Sequence, residues 1–165
     1  MKRLEVFFDY NCPYCKMGHE QLLAFLPARP GLALVWHPCE ISFFKKTRGA
    51  APDIGLQAAL FAAERGADML ALHTRMYGLA LEEKAGAKDI GALAGALKDL
   101  LDESALKEAL ESGAYARKLE ESNRLAFNEL GVHVVPTYRA DGGPLQDRQE
   151  FYGMGPSDTA YNGRK

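Results

Sequence analysis

The feature that most constrains the fold is a cysteine pair, Cys12-Pro13-Tyr14-Cys15, between an apolar run and a helical pattern. The run from Leu4 to Asp9 is apolar and aromatic, which predicts a buried strand, and apolar residues recur at helical spacing from Lys16 to Leu26. Pro13 suits a first helical turn, because the N–H that proline lacks has no partner there. The sequence therefore predicts that the cysteines lie where a strand ends and a helix begins.

This position favours a reactive thiolate on Cys12. The thiolate is the nucleophile of disulfide exchange, and a free thiol has a pKa of about 8.5. Unpaired N–H groups and aligned peptide dipoles at a helix N-terminus stabilise an anion. We therefore expect Cys12 to be the more exposed thiol with the lower pKa. We expect Cys15, one turn later, to be more buried and to attack a mixed disulfide formed on Cys12.

Two other interpretations of a C-x-x-C pair remain open, half of a metal site or two unreactive thiols. A formal four-ligand zinc set exists in Cys12, Cys15, His37 and Cys39. Its spacing is not that of a zinc finger, so we predict no metal site. The neighbouring strand and helix favour a redox pair instead. Cys39 itself is either an auxiliary thiol at the same sheet edge or a small buried hydrophobe.

Two basic residues follow the pair and also allow two interpretations. His19 lies one turn after Cys15, where it is either a proton relay or a packed histidine. Lys16 lies in the first turn, where its charge favours a nearby thiolate only weakly if it is exposed.

Composition excludes several classes of protein. The chain has 165 residues, of which 47% are hydrophobic and 25% charged, values typical of a globular domain with its own core. The net charge of −2 shows no basic footprint for nucleic acid, and no apolar run has the length of a membrane span, so we expect neither partner. Met1-Lys2-Arg3 leads straight into the first strand without a secretory pattern. We therefore expect a cytoplasmic protein, in which a disulfide is catalytic or transient.

The rest of the sequence predicts a second strand, a block of helices and a hairpin. Leu32 to Trp36 predicts a strand parallel to the first, and Ile41 to Pro52 is expected to be a loop. Four or five helices are expected from Asp53 to Leu130, with Gly131 following the last one. This block either covers apolar surface or forms a substrate groove beside the cysteines.

The C-terminal part returns to a strand pattern. Val132 to Val135 is β-branched, which predicts a strand, and Asp141-Gly142-Gly143 predicts a hairpin turn. Gln149 to Tyr152 is predicted to be the returning strand. The tail from Met154 to Lys165 is polar, and its weak pattern does not distinguish a closing helix from a frayed end.

Two stretches resemble one family. Phe8 to Cys15, with Gly18 after it, and Gly131 to Thr137 are similar to the DsbA-like thioredoxin-fold family, in particular its FrnE-like and 2-hydroxychromene-2-carboxylate isomerase-like branch. The order strand, cysteine helix, strand, helical insert, Val-Pro-Thr and hairpin is also that of the family. The resemblance implies an α/β thioredoxin fold built from residues 1–52 and 131–165, with an inserted α-helical subdomain at 53–130.

The resemblance also implies roles for individual residues. Cys12 resembles the nucleophile of the family, Cys15 its resolving cysteine, and Pro136 the cis-proline that faces them. The backbone of Val135 would then be free to pair with an extended substrate. The residues expected to line the substrate site beside Val135 are Tyr10, Pro13 and Tyr14.

The chain departs from the family pattern at two places. Tyr14 replaces the His or Trp often found between the cysteines, a position that tunes redox potential. The tail after Gly153 lacks the apolar closing helix that is typical of the family.

The leading functional hypothesis is a thiol–disulfide oxidoreductase without a cofactor. Its substrates would be polypeptides or small molecules that carry disulfides or thiols, and its recycling reductant or oxidant is not identified, although glutathione or another thiol is a possible co-substrate. One alternative is a glutathione-dependent isomerase or transferase of the kappa-class type. Those relatives have a serine where this chain has Cys12. A further alternative is a non-catalytic binding protein with the thioredoxin fold.

Overall fold

A mixed four-stranded sheet forms the centre of the computed structural model, which describes residues 1–41, 52–83 and 89–154. The strands, in chain order, are β1 (Arg3–Phe8), β2 (Ala33–Pro38), β3 (Thr137–Ala140) and β4 (Leu145–Asp147). Their spatial order is β2-β1-β3-β4, with β1 parallel to β2 and antiparallel to β3, and with β4 antiparallel to β3. The predicted α/β class and the parallel pairing of the first two strands are therefore confirmed.

Seven α-helices surround the sheet in the described part of the chain. They are α1 (Pro13–Phe25), α2 (Ile54–Glu64), α3 (Met69–Tyr77), α4 (Ile90–Ala96), α5 (Glu103–Glu111), α6 (Ala114–Asn123) and α7 (Arg148–Tyr152). A short 3₁₀ turn, Leu26–Ala28, follows α1, while α3 and α6 continue into π-helical turns at Gly78–Glu83 and Arg124–Glu129. Within the described residues, no helix has both the length and the apolar character that a membrane crossing requires.

The helix α1 lies on the sheet because its buried residues follow a helical stripe. Cys15, Gly18, His19 and Leu22 are buried and spaced for one face of a helix. They surround one small cavity together with Val6 and Phe8 of β1, a strand that is buried along most of its length. The stripe begins at Cys15, so packing fixes this cysteine beneath the start of the helix.

The helices between β2 and β3 begin at aspartates that the sequence analysis did not use. Asp53, Asp68, Asp89 and Asp102 each accept a hydrogen bond from the backbone N–H three residues later, at the starts of α2 to α5. In this block α3 packs against α1, and both α2 and α6 pack against β2. Gly131 follows the last helical turn with a φ of 77°, as predicted.

The predicted strand from Val132 to Val135 is wrong, because β3 begins only at Thr137. Pro136 has no N–H to donate to a sheet. The hydroxyl of Thr137 donates to the carbonyl oxygen of Val134 at 2.7 Å, which closes a turn before the strand. Residues 132–135 therefore form a loop that runs past the cysteine helix.

The predicted return strand from Gln149 to Tyr152 is also wrong. These residues belong to α7, and the returning strand is β4. The side chain of Asp147 accepts a hydrogen bond from the N–H of Glu150, which starts a helix, and Gly153 ends it with a φ of 65°.

The hairpin turn between β3 and β4 is confirmed, since Asp141 and Gly142 have positive φ angles of 49° and 71°. Other predictions fall outside the described residues. They are the loop from Ile41 to Pro52 apart from its ends, and the tail beyond Met154.

Candidate active site at the cysteine pair

The two thiols differ strongly in their burial. Cys12 is the N-cap residue of α1, in an extended conformation, and is partly exposed. Cys15 is 1% exposed. Both are free thiols. The predicted contrast between an accessible and a buried cysteine is therefore present.

The surroundings of Cys12 favour its ionised form. The thiol of Cys15, which donates to the Cys12 sulfur, is the largest of the effects that lower the pKa of Cys12 to about 7. Partial burial opposes it, while the N–H groups of Cys15 and Tyr14 add to it. A substantial fraction of Cys12 is therefore the nucleophilic thiolate at neutral pH.

Cys15 is held in its neutral form. Burial is the main cause that raises its pKa well above the usual value, and hydrogen bonding and charge repulsion from Cys12 add to it. The N–H of Asp9 donates to the Cys15 sulfur at 3.5 Å, which opposes the shift weakly. Cys15 thus remains a hydrogen-bond donor to Cys12 while Cys12 is charged.

The loop before β3 faces the thiols. The Val135–Pro136 peptide bond is cis, the isomer implied by the family resemblance. The Cys12 sulfur lies 3.7 Å from the carbonyl oxygen of Val135. Because β3 starts at Thr137, Val135 lies outside the pairing of β1 with β3. Its backbone therefore borders the reactive sulfur beside the end of the sheet.

Gly18 brings this loop close to α1. A Cβ atom at Gly18 would lie 2.5 Å from the Tyr138 hydroxyl and 2.9 Å from the Pro136 ring. Tyr138 is 1% exposed and stacks on Phe151, so its hydroxyl has little room to move. A glycine at position 18 therefore permits the contact between the cysteine helix and the proline.

The residues predicted to bind substrate divide into two groups. Pro13 and Tyr14 are exposed next to Cys12, and the guanidinium of Arg148 lies 5.8 Å from the centre of the Tyr14 ring. Tyr10 is 1% exposed, and its hydroxyl lies 2.7 Å from Nδ1 of His73. Tyr10 therefore departs from the prediction, because a buried side chain cannot line an open surface. It belongs to the packing beneath the site.

An open groove of about 130 Å³ adjoins the proline loop. One wall is residues 131–134 and Thr137, and the other is Leu145 to Asp147 with Glu150. Val134 is 40% exposed here, so the groove offers an apolar side chain next to carboxylates.

Asp9 is a site residue that the sequence analysis missed. It is 2% exposed, and its carboxylate accepts hydrogen bonds from the backbone N–H groups of Asn11 and Ile41. Burial is the largest cause that raises the pKa of Asp9 to about 6. A charged residue directly after an apolar strand, three positions before Cys12, was the available signal.

Asn11 links the cysteine segment to the helical block. Its side-chain amide donates to Asp9 at 3.2 Å and to Asp53 at 2.9 Å. The other carboxylate oxygen of Asp53 caps α2 by accepting from the N–H of Leu56. The start of α2 is thus bonded to the residue next to the nucleophile.

The remaining predicted polar residues have structural partners. Cys39 is fully buried, and burial raises its pKa. His37 lies 2.9 Å from the carboxylate of Glu5. The ammonium of Lys16 lies 2.8 Å from the carboxylate of Glu82, which pairs with its charge. In the described ranges, no group of three or more His, Cys, Asp or Glu residues is arranged to bind a metal.

His19 is packed and hydrogen-bonded. Its Nε2 lies 2.8 Å from the Thr74 hydroxyl, which itself donates to the carbonyl of Leu70. His19 Nε2 is therefore the donor. Burial lowers the pKa of His19 to about 4, so the ring is neutral near pH 7. These contacts favour the packed histidine over a proton relay.

Comparison with known proteins places this site in a known scaffold. Residues 3–56 match the family model described as DSBA-like thioredoxin domain. This range contains β1, the cysteine pair, α1 and β2. No curated protein sequence matches the chain significantly.

Solved structures share the fold over nearly the whole chain. A probable DsbA oxidoreductase from Streptomyces coelicolor is 19% identical, with a TM-score of 0.67 and coverage of 99% of this chain and 91% of its own. A 2-hydroxychromene-2-carboxylate isomerase is 14% identical, with a TM-score of 0.70 and coverage of 98% and 96%. DsbA from Pseudomonas aeruginosa is 16% identical, with a TM-score of 0.66 and coverage of 99% and 86%. The DsbA-like thioredoxin fold with its helical insertion is therefore established.

Proposed function

We propose that this chain, which has the fold of the DsbA-like thioredoxin proteins, is a thiol–disulfide oxidoreductase that works through Cys12 and Cys15. The observation that carries the proposal is the asymmetry of the pair. Cys12 is accessible and has a pKa of about 7, whereas Cys15 is buried and its pKa is raised. One sulfur is thus suited to attack a substrate and the other to act afterwards.

The proposed first step is attack by the Cys12 thiolate on a substrate disulfide. A bond forms between Cys12 Sγ and one substrate sulfur, the substrate S–S bond breaks, and the second sulfur leaves with the electron pair. The exposed Pro13 and Tyr14 flank the approach. An extended substrate can pair with the backbone of Val135, next to the sulfur that it meets.

The proposed second step uses Cys15. It loses its proton and attacks Cys12 Sγ, which forms the Cys12–Cys15 disulfide and releases the substrate thiolate. The substrate is then reduced and the protein oxidised. Two equivalents of a thiol such as glutathione, or one of a dithiol, would return the pair to the thiol form and be oxidised to a disulfide, and the reverse sequence would oxidise a substrate. The direction depends on the redox potential and on the compartment.

Reduction of insulin by dithiothreitol, followed by turbidity, tests the proposal. The wild-type protein should accelerate precipitation, and Cys12→Ser should abolish the acceleration. Incubated with insulin in the absence of dithiothreitol, Cys15→Ser should accumulate a mixed disulfide on Cys12. Cys39→Ala is the matched control, since it removes a buried thiol outside the pair and should keep the activity. Full activity in Cys12→Ser would contradict the proposal.

A glutathione-dependent isomerase or transferase is a second candidate. The similarity in fold to a 2-hydroxychromene-2-carboxylate isomerase over 98% of this chain favours it. A serine at position 12 would suffice for that chemistry, so Cys12→Ser would keep glutathione-dependent turnover. Loss of all thiol-dependent activity in this variant would favour the oxidoreductase.

A binding protein with inert cysteines is the third alternative. A Cys12 pKa at or above that of a free thiol, measured by ultraviolet titration of the thiolate, would favour it.

A further inference from the structure

A cavity lies directly behind the buried cysteine. It lies between α1, the sheet and α3, and its wall includes Cys15, Gly18, Trp36, His73, Pro136 and Tyr138. The centre of a water molecule has about 10 Å³ available inside it. That is the space one buried water requires, and it is too small for an organic ligand.

One residue of the cavity wall carries an unpartnered polar atom. His73 is 2% exposed, and its Nε2 atom has no hydrogen-bond partner in the described part of the chain. Buried polar atoms are rarely left in this state, because the loss of hydration is then not compensated. A polar atom of this kind beside a water-sized space is the usual setting of an ordered internal water.

The contact with Tyr10 decides what Nε2 can offer. Burial lowers the pKa of His73 well below its usual value, so the ring is neutral and carries one N–H. The Tyr10 hydroxyl lies 2.7 Å from the Nδ1 atom of His73, and the two form a hydrogen bond. When the hydroxyl donates to Nδ1, the ring hydrogen lies on Nε2, which is then a donor.

We propose that the cavity binds one water molecule, which accepts a hydrogen bond from His73 Nε2 and donates one to Cys15 Sγ. The chain of donors then runs from Tyr10 through His73 and the water to the sulfur. Such a chain stabilises negative charge on Cys15 at the moment it becomes a nucleophile. His73 is thus a positioning residue, which acts on Cys15 through the water.

The role of this water rests on the proposed function, in which Cys15 resolves a mixed disulfide. In that step the Cys15 S–H bond breaks, a bond to Cys12 Sγ forms, and the bond from Cys12 to the substrate sulfur breaks. The substrate sulfur leaves with the electron pair and takes up the proton that Cys15 released. The water donates to the Cys15 sulfur throughout, and no other reactant is consumed.

The N–H of Asp9, at 3.5 Å, is a weak donor to the Cys15 sulfur, and the charged groups around Cys15 do not add to it. The titratable residues that face it are Asp9, Cys12, His19, His73, Tyr77 and Tyr138. Charge on Cys12 or Asp9 raises the pKa of Cys15 rather than lowering it. The Nε2 hydrogen of His19 is used by Thr74. A donor on the cavity side would therefore add to the weak one from the Asp9 N–H.

The competing arrangement is an N–H that points at an aromatic ring. The rings of His73 and Trp36 have centroids 4.3 Å apart at an angle of 64°. An N–H above that ring would be partly satisfied without water, and the cavity would stay dry.

The test follows both thiols with an aromatic disulfide that releases a coloured thiolate. The first release reports attack by Cys12, and the second reports attack by Cys15 on the mixed disulfide. His73→Leu should slow the second release about tenfold and raise its pH midpoint by about one unit, with the first release unchanged. His73→Gln should restore most of the rate, because an amide can accept from Tyr10 and donate to the water.

Several results would overturn the inference. One is an unchanged pH midpoint for the second release in His73→Leu, and another is a high-resolution structure with no water beside Nε2. If His73→Leu does not fold, Tyr10→Phe and the electron density of the wild-type protein decide the question. Failure of the wild-type protein to give any second release would instead reject the proposed function itself.

Discussion

The sulfur of Cys12 lies 3.7 Å from the carbonyl oxygen of Val135, which is 123 residues away in the chain. The thiol form of Cys12 can donate to this oxygen, whereas the thiolate cannot. The carbonyl therefore favours the thiol, and the donors at the start of α1 must outweigh it to bring the pKa to about 7. Ionisation of Cys12 also frees the oxygen to accept an N–H from an extended substrate.

Replacement of Cys15 should raise the pKa of Cys12. The thiol of Cys15 is the largest cause of the lowered value, so Cys15→Ala should move the pKa of Cys12 from about 7 toward that of a free thiol. Cys15→Ser should have a smaller effect, because its hydroxyl can still donate. Alkylation rates as a function of pH measure the midpoint, and Cys39→Ala serves as the control. An identical midpoint in Cys15→Ala and wild type would contradict this assignment.

Asp9 should make the protein less stable as the pH rises from about 4 to about 6. Its pKa is about 6 in the folded protein and 3.8 as the reference for an unfolded chain, so the folded state binds the proton more tightly. The free energy of unfolding should fall by up to about 3 kcal/mol across this range. Asp9→Asn should remove that fall in urea titrations. Asp68→Asn, which keeps Asp9 intact and retains a good helix cap, should show the wild-type decrease.

Two glycine substitutions in helices should have opposite effects. Gly18→Ala forces a methyl group against Tyr138 and Pro136 and should lower the free energy of unfolding by about 1–3 kcal/mol. Gly95→Ala in α4 meets Glu103 at an ordinary 3.8 Å and should raise stability by about 0.5 kcal/mol. Calorimetry measures both.

The double variant Gly18→Ala with Tyr138→Phe relieves the shorter of the two contacts. It should regain part of the stability that Gly18→Ala loses. A Gly18→Ala protein as stable as the wild type would show that the loop and helix can separate without cost.

Breaking the pair between Glu5 and Arg139 should be costly. Glu5 is 2% exposed and accepts two hydrogen bonds from Arg139, at 2.6 and 2.9 Å. Arg139→Met leaves a buried carboxylate and should lower the free energy of unfolding by about 3–5 kcal/mol. The double variant with Glu5→Gln should recover much of this loss. Chemical denaturation near neutral pH compares the two variants.

The same pair should give the wild-type protein a pH dependence of the opposite sign to that of Asp9. Arg139 is the main cause that lowers the pKa of Glu5 to about 2, so its stabilisation is complete above about pH 4.5 and is lost as the pH falls toward 2. Glu5→Gln should lack this component. Equal acid sensitivity in both proteins would argue against the assignment.

Local pattern was sufficient to predict the cysteine site. An apolar strand, a proline suited to a first helical turn and an apolar helical stripe are all encoded within residues 4–26. The helix between the first two strands also predicted that β1 and β2 pair in parallel, because a helical crossover connects parallel neighbours.

A contact distant in sequence accounts for one error, and local contacts account for the two wrongly predicted strands. Tyr10 next to the cysteines looked like a surface residue, but its ring packs against α3, where its hydroxyl also bonds to His73, and is buried there. Nothing in a helical stripe marks His73 as the partner. In the C-terminal part, the Asp147 cap started a helix where the strand that returns from the hairpin turn had been predicted. Over a segment as short as α7, this single capping contact was enough to decide between a helix and a strand.

The carboxylate of Asp53 serves two segments, because one oxygen caps α2 and the other holds the side-chain amide of Asn11. A chimeric protein that takes its helical block from a relative would replace Asp53, which accepts the hydrogen bond from Asn11. Such a graft would need its own carboxylate at the junction, or Asn11, the residue before the nucleophile, would lose its bond to the helical block even though the cysteines themselves were untouched.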